Sequence, residues 1–127
     1  MSGHFTIAVA PSRNLLRVEM SGFFTVEDVH RYRIAIDTAS RHLTAPPERQ
    51  VMVNDISAMN IQSQEIVDAF RRVMGDVRYR DRRVGFVVAS TLARMQLSRI
   101  IGSRTAQMFA TSAEAEDWLF GSTEAAA

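Results

Sequence analysis

Arg83-Val84-Gly85-Phe86-Val87-Val88-Ala89 is the stretch whose reading decides the fold. Val84, Phe86, Val87 and Val88 leave it nearly apolar on both faces. Such a strand suits the interior of a parallel sheet, covered above and below, rather than an edge. Parallel neighbours need long crossovers, so helices are expected on either side of it.

Both flanks supply them. Upstream, Ser63 is an N-cap ahead of a stripe formed by Ile66, Val67, Phe70, Val73 and Met74, and Gly75 closes the helix. Downstream, Ser90 or Thr91 opens a third helix that Gly102 closes. Beyond these lie two more strands. Gln50 to Asp55 is a short buried one carried by Val51, Met52 and Val53, and Thr105 to Ala110 is the last. Thr111-x-x-Glu114 then resembles a capping box, opening a short helix that carries Trp118-Leu119 before Gly121.

The amino-terminal third reads differently. Phe5, Ile7 and Val9 alternate with Thr6, Ala8 and Ala10, the period of a half-buried strand. Pro11-Ser12-Arg13-Asn14 is a turn, and a second strand points Leu16, Val18 and Met20 inward with Arg17 and Glu19 outward. So short a connection makes an antiparallel hairpin. Thr25 caps the first helix, with Glu27 and Asp28 in its first turn and Val29, Tyr32, Ile36, Ala39 and Leu43 along one face, until Pro46-Pro47 stops it. The element order is β-β-α-β-α-β-α-β-α, an α/β fold with an antiparallel hairpin followed by parallel strands. Residues 1–121 read as a single domain and 122–127 as a frayed tail.

Composition bounds the function classes. Apolar residues make up 46% of the 127, and fifteen basic residues, all arginine, face fourteen acidic ones. That balance leaves no net field to hold a polyanion, which argues against nucleic acid. Without cysteine there are no disulfides, thiolate metal sites or cysteine nucleophiles, and a cytoplasmic address fits. Met1-Ser2-Gly3-His4 lacks the charged region and apolar run of a signal peptide. No stretch approaches the roughly 20 apolar residues that span a bilayer, so membrane insertion is not expected.

Three junctions carry a resemblance. Met20-Ser21-Gly22-Phe23-Phe24-Thr25 leads from strand to helix, and Val53-Asn54-Asp55-Ile56-Ser57 ends the third strand. The run from Met108 to Leu119, with Glu114-Ala115-Glu116-Asp117-Trp118-Leu119, looks like a closing strand, cap and "eAxxWL" helix. Together with the element order, these resemble the STAS-like fold of bacterial anti-sigma-factor antagonists, the SpoIIAA-like group. The resemblance implies a regulatory module that a kinase partner phosphorylates on a serine after the third strand. That serine's position falls at or beside Gln64, where Gln62-Ser63-Gln64-Glu65 lacks the aspartate and glycine of the family's run. The chain therefore resembles the divergent stand-alone members more than the regulatory ones.

Candidate sites follow from residue chemistry. Asp55, Ser57, Asn60, Gln62, Ser63 and Gln64 crowd polar groups beyond the carboxyl end of a parallel strand, where open α/β sheets place ligand crevices. On the third helix, Ala93, Leu97, Ile100 and Ile101 suffice for the core, whereas Leu92 and Met95 point the other way beside Arg99, as a contact face for a protein partner or second copy would. Met52, Phe70, Met74, Met95 and Met108 could line a pocket for a small apolar ligand. On the sheet, Ala8, Met52, Val87 and Met108 read as one face, opposite Phe5, Ile7, Val51, Val53, Phe86 and Val88, and that half-apolar second face needs a cover. Arg78, Arg80, Arg82 and Arg83, with Tyr79, form a basic cluster interrupted by Asp76 and Asp81, which reads as an internally paired loop. His4, His30 and His42 have no partners at metal-ligand spacing, and no Gly-x-Ser-x-Gly or glycine-rich phosphate loop is present. No catalytic site, metal or cofactor is expected. The functional expectation is a non-enzymatic regulatory or protein-interaction module. Its alternatives are a carrier or sensor of a small apolar ligand and a phospho-regulated switch at Ser57 or Ser63.

Overall fold

The structure is a computed structural model that describes residues 3–101 and 106–121. The expected closure of the third helix at Gly102, Thr105 of the last strand, and the tail 122–127 lie outside the described residues. Five strands, β1 (His4–Ala10), β2 (Leu15–Gly22), β3 (Val51–Met59), β4 (Arg83–Val87) and β5 (Ala106–Phe109), form one sheet in chain order. Among the described residues only β1 and β2 pair antiparallel. Asn14 makes their tight connection by taking a left-handed conformation, φ 48°, and its side chain accepts a hydrogen bond from the Ala45 amide at 2.8 Å.

The helices are α1 (Val26–Ser40), α2 (Gln64–Met74), α3 (Thr91–Ile101) and α4 (Ser112–Phe120). A chain that advances in one direction across a sheet, with crossovers of one hand, must put every crossover helix on the same face. Accordingly α1, α2 and α3 cover one face, where Val29, Tyr32, Ile36, Ile66, Phe70 and Leu97 pack on Leu16, Val18, Met52 and Phe86. The fourth helix follows the last strand, is not a crossover, and returns across the other face. There Ala115 and Leu119 pack on Leu15, Val53 and Val87. Gly85 allows this approach: a Cβ at that position would lie 2.9 Å from the Ala115 Cβ.

This cover corrects the expected division of the sheet. The register aligns Leu16, Met52, Val84 and Ala106 in one row, and Val18, Asn54, Phe86 and Met108 in another. Met52 and Met108 therefore share the face of Phe5, Ile7, Phe86 and Val88, while Val51 and Val53 join Val87 under α4. Alternation along each strand was legible, but the phase between strands depends on register. Beyond Leu15, Arg13 and Arg17 close the β2 side of the second face, both paired to Glu116 of α4 at 3.0 Å.

Local chemistry starts each helix as expected. Thr25 and Asp28 form a reciprocal capping box on α1. Burial raises the Asp28 carboxyl, yet hydrogen bonds from the Thr25 and Gly3 amides and the nearby Arg31 guanidinium outweigh it and hold the group below 3.8. Ser63 caps α2, and Thr111 caps α4 through the Glu114 amide. Several boundaries differ from expectation: α1 ends at Ser40, before Leu43 and well short of Pro46-Pro47, β4 ends at Val87 rather than Ala89, and β3 runs beyond Asp55. Pairing with β2 continues past Asp55 to Met59 across a register shift between Glu19 and Ser21. An extra residue on β3 absorbs the shift as a bulge.

Candidate functional site

Because β3 runs on, Asp55 and Ser57 are strand residues, and the connection to α2 shrinks to Asn60–Ser63. The expected polar loop is thus split. Ser57 donates its hydroxyl to Asp55 at 2.6 Å and its amide to the same oxygen at 2.9 Å. Asn60, Ser63 and Gln64 are exposed, with Ser63 accepting from the Ile66 amide and Gln64 donating to Asp68 at 2.9 Å.

Gln62 organises this end of the sheet, a role the sequence reading missed. Its buried side chain accepts from the Phe24 amide at 2.8 Å and donates to the Gly22 carbonyl at 3.0 Å. Its backbone exchanges two 2.8 Å bonds with the side chain of Gln96 on α3. Two amide side chains therefore tie the β2–α1 turn, the β3–α2 turn and α3 together through one residue, Gln62. A polar residue followed by an apolar helix stripe gave no signal for this, because the partners lie 34 to 40 positions away.

Around that tie four large apolar side chains are exposed beside the polar ones. Phe23, Ile61, Leu92 and Met95 are 53%, 43%, 65% and 53% exposed, on the elements that Gln62 joins. Leu92 and Met95 point away from the core, as their spacing implied, and Arg99 is exposed beside them with its carbonyl accepting from Arg71 at 3.1 Å.

Between α2, α3 and the sheet lies a cleft of about 60 Å³. Its floor is Asn54, Tyr32 and Phe86, its walls come from Phe70 and Met74 of α2 and Leu97 and Ile100 of α3, and its mouth is at Asn60 and Ile61. Of the five residues expected to line an apolar pocket, only Phe70 and Met74 do so. Met52 is in the core, Met95 faces outward, and Met108 packs against the core without reaching the cleft. The strand order never reverses, so the sheet has no switch point to hold a crevice, and the opening forms between helices instead. Asn54 is 4% exposed. Its amide nitrogen donates to the Tyr32 hydroxyl at 3.3 Å, but its oxygen has no partner. A buried acceptor left unmade costs about 1–3 kcal/mol.

The opposite rim carries the basic cluster, in which Arg78 pairs with Asp76 inside the run while Arg82 and Arg83 bond to distant elements instead. Arg78 contacts Asp76 at 2.9 Å and Asp37 at 3.4 Å, and Tyr79 donates to Asp37. Hydrogen bonds from Arg78, with its positive charge, lower the Asp76 carboxyl to about 2. Arg83 donates to the Leu119 and Trp118 carbonyls at 2.9 Å, tying α4 down, and Arg82 is buried against Gln50 at 3.1 Å. Among the described residues no cluster of His, Asp or Glu could hold a metal ion, and no helix is long and apolar enough to cross a membrane.

No protein-family model matches the sequence, and no curated protein does. Solved structures do. One is an uncharacterised DUF3478-family protein with a SpoIIAA-like fold from Shewanella loihica, 16% identical, TM-score 0.66, covering 93% of this chain and 94% of that one. The anti-sigma factor antagonist SpoIIAA in its unphosphorylated form is 18% identical, TM-score 0.64, with 93% and 99% covered. An anti-sigma factor antagonist from Mycobacterium paratuberculosis is 16% identical, TM-score 0.61, with 94% and 95% covered. The chain has the SpoIIAA-like fold.

Proposed function

We propose that this protein is a non-enzymatic regulatory module that docks an apolar face of a protein partner on the carboxyl rim of its sheet. The observation that carries the reading is the group of exposed Phe23, Ile61, Leu92 and Met95 on elements held together by Gln62. Exposed apolar side chains on a fixed scaffold suit recognition, since little order has to be created on binding. The likeness to two anti-sigma factor antagonists supports a regulatory role. A photo-crosslinking residue at position 92 or 95, compared in living cells with one at the equally exposed Val77 on the opposite rim, tests it. Discrete adducts from 92 and 95 but not 77 are expected. Identical adduct patterns from all three positions would refute the docking rim, as would none.

A second reading concerns phosphorylation, and it favours Ser63 over Ser57. A phosphate on Ser57 would face the Asp55 carboxylate that its hydroxyl now contacts, whereas Ser63 is exposed at the start of α2, where free amides and the helix dipole favour negative charge. Ser63→Glu is expected to change the crosslinking yield at position 92 while leaving the melting temperature close to that of Ser63→Ala. Equal yields from the two variants would remove the switch.

A further inference from the structure

The outer edge of β1 lacks the devices that keep an open strand from pairing. Among the described residues β1 pairs only with β2, so every second residue turns its N–H and C=O away from the sheet. Edge strands are usually kept short, charged, bulged or interrupted by proline. At the other end of the sheet, β5 is four residues long. β1 has seven, His4-Phe5-Thr6-Ile7-Ala8-Val9-Ala10, without an arginine, a carboxylate or a proline. Its register with β2 runs unbroken, so no bulge twists the edge away. Beside it α1 presents small residues. Ala35 and Thr38, with His42, face Phe5, Ile7 and Val9 across an open groove of about 430 Å³.

We propose that β1 pairs antiparallel with β1 of a second copy of this chain, about a two-fold axis through Ile7, joining two five-stranded sheets edge to edge. The axis stands perpendicular to the sheet, so α1 lies on the same face in both copies and the two grooves meet. The occupant is a second copy because the strand is complementary to itself in one register. Directly opposed side chains share a face, so the axis must pass through a residue. Charge selects which one. On β2, Glu19 lies beside Thr6 and Arg17 beside Ala8. Centred on Ile7, Thr6 opposes Ala8 of the second copy, and each such row has Glu19 at one end and Arg17 at the other, with two small residues between. A centre on Thr6 would put Glu19 at both ends of its row, and a centre on Ala8 would put Arg17 at both. The Ile7 centre also sets Phe5 against Val9, an aromatic and β-branched pair, and keeps the two His4 side chains about 20 Å apart. The pairing uses no residue of the docking rim, and either can fail without the other.

Sedimentation velocity of the purified chain between about 1 and 100 µM tests the inference, with a dimer expected at the upper end. Thr6 and Ala8 are exposed, so charge can be placed there without entering the core. The double variant Thr6→Lys, Ala8→Lys opposes like charges on both sides of the axis and should weaken the dimer at least about tenfold. Thr6→Glu with Ala8→Glu should do the same alone. Mixed in equal amounts, the two double variants should reassociate as a heterodimer, because every opposed pair then has opposite signs. Leu92→Ser is expected to leave the dimer unchanged. A wild type that stays monomeric at about 100 µM would overturn the proposal, whether or not the double variants fold. So would a dimer that survives both double variants, or a mixture of folded variants that does not reassociate. A dimer lost with Leu92→Ser would place the contact on the docking rim and overturn it as well.

Discussion

The two rims of this sheet are built from similar residue types and reach opposite outcomes. At the amino rim, polar side chains seal the end of the core. Gln50 is buried and its amide donates to the Ser40 and Ala45 carbonyls at 3.0 Å, while Arg82 lies against Gln50 and stacks 4.4 Å over the Tyr79 ring. Arg78, Asp76 and Asp37 finish the outside. At the carboxyl rim, Gln62 and Gln96 are bonded as thoroughly, but they hold turns together over a cleft and leave apolar side chains in water. One rim spends its polar groups on closure and the other on holding an opening in shape. Stability should therefore concentrate at the first and recognition at the second.

Substitutions at the two ends separate these roles. The largest loss is expected from Arg82→Ala, which empties a buried volume and strips the contacts of Gln50 and Tyr79, at about 3 kcal/mol in urea unfolding. A loss below about 1 kcal/mol would mean the amino rim is not the anchor. Gln62→Ala comes next. It leaves the buried Phe24 amide and the partly buried Gly22 carbonyl without their partner, at a cost of about 2 kcal/mol. Hydrogen exchange should quicken at Phe24 while amides of β4 keep their protection. If β4 exchanges faster to the same degree, the carboxyl turns are part of the global core.

Asp76→Asn should cost less, about 1 kcal/mol at neutral pH, because Arg78 is half exposed. The folded carboxyl sits at about 2 against an ordinary 3.8, so its contribution is full above 3.8 and disappears as pH falls toward 2. Unfolding curves of wild type and variant should converge over that window. A gap that persists at pH 2 would show that shape, not charge, matters there. Leu92→Ser should have the smallest effect, within about 0.5 kcal/mol, since the side chain is 65% exposed. A larger destabilisation would make Leu92 part of the core and weaken the docking reading.

Much of the fold was legible because its signals are local. Thr25, Ser63 and Thr111 each satisfy an amide three residues away, so their helices could be placed from short stretches. The apolar run from Val84 to Val88 placed β4 inside the sheet with strands on both sides. The candidate site was legible only in part. Leu92 and Met95 stood out because a helix repeats its faces every few residues. Asn54 drew notice as part of a junction but not as a lone acceptor, since its isolation depends on Tyr32, Phe70 and Leu97, brought in from three helices.

Element type, element order and the one-way advance of the strands are properties of periodicities and caps within a few residues, and they could be read along the chain. The phase that sets Met52 beside Phe86, the bulge that carries β3 to Met59, the approach of Ala115 to Gly85 and the pairing of Gln62 with Gln96 could not. Each depends on register and on close contact between distant segments. Those are settled when the whole chain buries its apolar surface at once, because a shift of one residue in any strand would turn every side chain on it to the other face.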